Sequence, residues 1–118
     1  MSLAKTYYFQ GNYNLAATAE DDLAYRIAGL VFTGIHGLAR KLYKTHQNSL
    51  STDDLIFVQF HIGISYVRTS EYSAAKKCFI ENLKLIRNSK ANSISNFLCY
   101  QGLGFYRFFF SNHQKSLY

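Results

Sequence analysis

The side chains in this 118-residue chain whose types could do chemistry are four histidines (His36, His46, His61 and His113), two cysteines (Cys78 and Cys99) and an acidic run (Glu20, Asp21, Asp22). A metal held by one helix needs ligands one turn apart, and a nucleophile needs a base against it. No two of the histidines stand four residues apart, and no Asp or Glu falls at ligand spacing from them. The cysteines have neither metal-ligand spacing nor a local signature of a catalytic base. Gly102-Leu103-Gly104 lacks both the third glycine and the preceding strand of a phosphate loop. The acidic run stands where a helix would begin, a place that favours negative charge. The sequence therefore points away from an enzyme and implies no metal and no cofactor.

The elements that position these residues read as helices. Proline is absent, 48% of residues are apolar and 17% aromatic, with ten Tyr and ten Phe, which suits a single, well-filled all-α domain. The formal charge of +6 raises the question of a nucleic-acid partner. The basic residues are scattered, however. The densest set, Lys76, Lys77, Lys84, Arg87 and Lys90 with Glu81 among them, reads as the solvated outer face of one helix, so nucleic acid is not the expected partner. No apolar run approaches the roughly 20 residues that span a bilayer. The longest, over residues 27–38, is interrupted by Thr33 and His36 and flanked by Arg26 and Arg40, and reads as a buried helix. Lys5 and an aromatic group follow the first residues where a signal peptide would have an apolar run. Two cysteines without framework spacing suit a reduced, cytoplasmic protein.

From Leu23 onward, apolar residues recur at three-and-four spacing as far as Tyr43, which predicts one long helix over 22–46. Its glycines, each costing roughly 1 kcal/mol against alanine, imply close contact with neighbouring helices. A polar connection follows. Ser51, with Asp54 three residues on, caps a helix predicted to run to about residue 68. Its partner runs over 72–88, and a further helix is predicted over 93–110.

Within residues 57–88, Gly63 and Tyr66 are followed by a short turn (Thr69, Ser70, Glu71), then by Tyr72, Ala75 and Phe79. This spacing resembles a tetratricopeptide repeat, in which small residues let two antiparallel helices approach and aromatics fill the space around their crossing. Tyr7, Tyr8, Gly11, Asn12, Tyr13 and Ala16 restate its turn within a partial repeat over 4–20. Leu103 and Gly104 restate it loosely over 93–118, where Arg107 replaces an aromatic and Ser116 takes the small position. Residues 22–46 do not match it cleanly. The resemblance implies antiparallel helix-turn-helix repeats wound into a right-handed superhelix, with residues 1–118 forming one domain of a longer repeat protein.

The resemblance also implies function: a protein-protein or peptide interaction module. The first helix of each pair lines a concave groove, placing Phe57, Phe60, Ile64, Val67 and Arg68 there, and Leu98, Gln101, Phe105, Phe108 and Phe109 in the next unit. Phe60 and Ile64 stand where family members that grip a terminal carboxylate carry Lys and Asn, so an apolar or aromatic anchor is the expected occupant, with Arg68 or Gln101 fixing its backbone. Self-association into a homodimer through the aromatic terminal face is a further expectation. An alternative is the peptide-sensing part of a larger bacterial transcription regulator, which similar degenerate helical repeats serve.

Overall fold

The computed structural model describes residues 1–88, which form six α-helices and one 3-10 turn, with no strand among the described residues. In chain order these are α1 (Leu3–Phe9), α2 (Tyr13–Thr18), α3 (Leu23–Phe32), α4 (His36–His46), the 3-10 turn Gln47–Ser49, α5 (Thr52–Arg68) and α6 (Tyr72–Arg87). The all-α class expected from composition is observed. The helix expected over 93–110, and the partial repeat around it, lie outside the described residues.

The helices pair as three hairpins, each closed by the same turn. Gly11, Gly34 and Ser70 have φ of +75°, +81° and +61°. Their amides donate to Tyr8, Val31 and Val67 carbonyls at 3.0, 3.1 and 3.0 Å. The next amides, of Asn12, Ile35 and Glu71, reach back to Tyr7, Leu30 and Tyr66 at 2.8, 2.9 and 2.8 Å. These are the paired bonds of a Schellman cap, which satisfy the last carbonyls of the first helix. Asn12, Ile35 and Glu71 then serve as N-caps of the second helix, with nearly equal backbone angles. Four residues on, their carbonyls receive the amides of Ala16, Ala39 and Ala75, all three fully buried.

The long helix expected over 22–46 is therefore two helices. A left-handed residue at Gly34 ends α3, and its two cap bonds leave no continuous ladder into α4. The apolar period ran on across the break because Ile35 and Leu38 fell in register, but they are 48% and 38% exposed. They were not core positions.

At the crossings, side chains are missing where backbones meet. A methyl on Gly29 would lie 2.6 Å from Ala17 N and 2.9 Å from Tyr13 O, so α3 sits directly on the backbone of α2. A methyl on Gly63 would strike the ring of Phe79, which is fully buried between α5 and α6. Central α5 packs on α3, α4 and α6, and every residue from Ile56 to Val67 except Tyr66 is buried. That accounts for its weak amphipathic pattern, since a helix covered on several sides is apolar nearly all round.

The acidic run is structural in a way the sequence did not specify. Asp21 caps α1, not the helix that follows it: its carboxylate accepts the amides of Leu3 at 2.6 Å and Ala4 at 3.1 Å. Those amides hold its pKa below the usual carboxylate range. Ser2 completes that end by accepting the Lys5 amide and donating to Asp22. Ser51 caps α5 through the Asp54 amide at 3.2 Å, as its position predicts.

Candidate interaction surfaces

The groove residues read from the sequence lie in the interior. Phe57, Phe60, Ile64 and Val67 are only 7%, 8%, 7% and 3% exposed, so they fill the core around α5 and do not line an open groove. The first helix of the pair was expected to present them outward, whereas among the described residues they belong to the buried core. Arg68 is exposed, but its guanidinium donates to the Val31 carbonyl at 3.2 Å and lies 5.2 Å from the Phe32 ring. It thereby ties α5 to the end of α3. Gln101 and Phe105 lie outside the described residues.

An aromatic enclosure gathers around Tyr8. Its ring meets Tyr13, Tyr25, Phe32, Phe57 and His61 at centroid distances between 5.3 and 6.0 Å. His61 is fully buried, and its Nδ1 lies 2.9 Å from the Phe57 carbonyl. A carbonyl only accepts, so Nδ1 carries the hydrogen and Nε2 is free to accept from the Tyr8 hydroxyl at 3.1 Å. Burial pushes the His61 pKa down to about 4 and that of Tyr8 up to about 12, so both are neutral near pH 7. This pair ties two hairpins together, with His61 fully buried and Tyr8 half-buried.

A second polar cluster joins α4 to the third hairpin. Arg40 donates from Nε to Ser65 Oγ at 3.1 Å, from Nη1 to Glu71 at 3.0 Å and from Nη2 to Thr69 Oγ1 at 2.7 Å. Its guanidinium also stacks 4.1 Å from the Tyr66 ring. Ser65 Oγ lies 2.7 Å from His36 Nδ1, a separation that a nucleophile and its base would have. Ser65 is fully buried, however, and its oxygen already accepts from a cation. Cys78 is no better placed as a nucleophile, because burial raises its thiol to about 11 and keeps it protonated. No group of three His, Cys, Asp or Glu among the described residues could hold a metal.

Two open depressions lie among the described residues. A shallow recess of about 340 Å³ lies where the first turn meets the end of α3, lined by Asn12, Tyr13, Asn14, Phe32 and Thr33. Tyr13 and Phe32 stack 4.4 Å apart in its wall. A second depression, also about 340 Å³, lies along α6 between Ser73 and Lys84. Sequence reading had placed the α6 lysines on a solvated face without detecting the depression. Ile80, four residues after Lys76 and four before Lys84, was the available signal. No helix among the described residues is long and apolar enough to cross a membrane.

Compared with known proteins, the chain matches no family model, no curated protein and no solved structure.

Proposed function

We propose that this chain is a protein-protein or peptide interaction module built from tetratricopeptide-like helical hairpins. The observation that carries the reading is the thrice-used turn, with left-handed residues at Gly11, Gly34 and Ser70 and a buried alanine after each. A unit that reuses one cap and one small residue at its crossing suits stacking into a rigid array whose outer surfaces are free to vary, which is how helical repeats serve as binding scaffolds. The polar side chains best placed for chemistry, His61, Ser65 and Arg40, are engaged in joining hairpins.

Selection of random displayed peptides against the immobilised protein, followed by titration of the synthetic winners, tests this. Saturable binding by a soluble selected peptide is the expected result. If none of the selected peptides binds in solution, the reading fails.

A further inference from the structure

Charge is unevenly distributed over the described residues. Glu20, Asp21, Asp22, Asp53 and Asp54 gather near the starts of α3 and α5. Burial and then the charge of Asp22 raise the pKa of Asp54. On α4 and α6 the balance reverses: these helices carry Arg40, Lys41, Lys44, Lys76, Lys77, Lys84 and Arg87 and a single carboxylate, Glu81. The inward stripe of α6 is Ala75, Phe79 and Asn82. Helical geometry puts Ser73, Lys77, Ile80 and Lys84 on the opposite side. Ile80 is 38% exposed at the middle of the depression there. Lys76, Lys77 and Lys84 make no ion pair among the described residues, where Arg40–Glu71 lies at a different seam.

We infer that the outer face of α6 docks an acidic protein segment carrying an aliphatic side chain, with Ile80 receiving that side chain and Lys76, Lys77 and Lys84 meeting its carboxylates. The inference rests on the module reading above and names the partner's chemistry. Complementary charge speeds encounter and sets register, while the desolvated apolar contact holds the complex. A polyphosphate chain fits the face less well. Glu81 interrupts the lysines, the stripe presents no aromatic ring for a base to stack on, and an exposed isoleucine has nothing to pair with on a phosphate backbone.

The test is titration of a fluorescent synthetic peptide of glutamates flanking two leucines. It is run beside the same peptide with serines for leucines, polyglutamate, single-stranded DNA and vesicles of phosphatidylserine with phosphatidylcholine. The leucine peptide should bind saturably, and Lys77→Glu with Lys84→Glu should weaken it by about tenfold or more. Ile80→Ser should weaken it while leaving the salt dependence intact. Lys41→Glu with Lys44→Glu, the same charge change on α4, should have a much smaller effect.

Equal loss from the α4 and α6 pairs would mean a response to net charge and would overturn the inference. So would failure of the leucine peptide to bind, or indifference to Ile80→Ser in a variant whose helical signal and melting are unchanged. If displayed peptides are selected but bind the Lys77→Glu, Lys84→Glu protein undiminished, the docking face is wrong and the module reading stands. Binding of DNA or vesicles without any peptide would sink both.

Discussion

Tyr8 on α1 and His61 on α5 share a 3.1 Å hydrogen bond inside an enclosure of aromatic rings. Because His61 Nδ1 is committed to the Phe57 carbonyl, the Tyr8 hydroxyl donates to Nε2 while the imidazole is neutral, and the bond would have to reverse its direction if Nε2 took a proton. One neutral imidazole therefore joins the first hairpin to the third.

Acid should weaken this seam, because burial disfavours a charged His61. His61 has a folded pKa of about 4 against an ordinary value of 6.5, so the unfolded chain binds the proton more readily. Its contribution to stability is complete above the unfolded value and is lost as pH falls from 6.5 toward 4. Between about pH 7 and pH 5 the loss should be roughly 2 kcal/mol. Urea unfolding at both pH values checks it, with His61→Leu as the comparison. The variant's profile should be flatter, and an identical pH dependence in both proteins would assign the acid sensitivity to other groups.

Gly29 and Gly37 should respond oppositely to alanine. The added methyl at Gly29 meets Ala17 N, Tyr13 O and Ala16 C at 2.6, 2.9 and 3.0 Å, all backbone atoms of α2 that cannot swing aside. Gly29→Ala should lower stability by about 1–3 kcal/mol through overpacking. At Gly37, within α4, nothing lies within 4 Å of the new methyl. Gly37→Ala should raise stability by about 0.5–1 kcal/mol, because alanine has less freedom to lose on folding. Thermal unfolding of the two variants beside the parent decides it, and equal effects would place Gly29 away from a crossing.

Two of the three hairpins were legible in the sequence because their turns carry aromatics at the expected places: Tyr8 and Tyr13 around Gly11, Tyr66 and Tyr72 around Ser70. The middle one was hidden by chemistry that imitates a continuous helix. Phe32-Thr33-Gly34-Ile35-His36-Gly37-Leu38-Ala39 aligns with Phe9-Gln10-Gly11-Asn12-Tyr13-Asn14-Leu15-Ala16, with His36 standing where the aromatic is. Leucine and alanine in register on both sides of Gly34 kept the helical period running through the turn. The site was less legible still. Periodicity says which side of α5 is apolar but not how many neighbours cover it, and coverage from several sides turned Phe60 and Ile64 from groove lining into core. Distant polar pairs such as Arg40 with Ser65 leave no local signal at all.

The shared turn makes a prediction of its own. Gly34 has φ of +81°, where an L side chain is strained, so Gly34→Ala should cost about 1–2 kcal/mol even though nothing lies near its Cβ. Ser70 occupies the equivalent position at +61° with a side chain already in place. Ser70→Gly should stabilise the third hairpin by up to about 1 kcal/mol, the relief of strain being partly offset by glycine's freedom in the unfolded chain. Chemical denaturation of both variants would show opposite shifts. A destabilised Ser70→Gly would mean that the serine side chain makes a contact outweighing its strain.

Arg40→Lys should be damaging although the charge is kept. The guanidinium directs donors to Ser65, Thr69 and Glu71 and sits over the Tyr66 ring, 4.1 Å from its centroid. A lysine ammonium is a single point and cannot stack, so buried Ser65 would lose its cationic donor. The expected loss is roughly 1–2 kcal/mol from the hydrogen bond and stacking contacts. The Glu71 carboxylate is exposed and contributes little, so Glu71→Gln should change stability less than Arg40→Lys does. Salt separates the two causes, since an exposed ion pair is screened at about 1 M NaCl while buried donation and stacking persist. If the Arg40→Lys deficit disappears in high salt, the ion pair carries the seam. If it remains, the fork across Ser65, Thr69 and Tyr66 is what holds the second hairpin to the third.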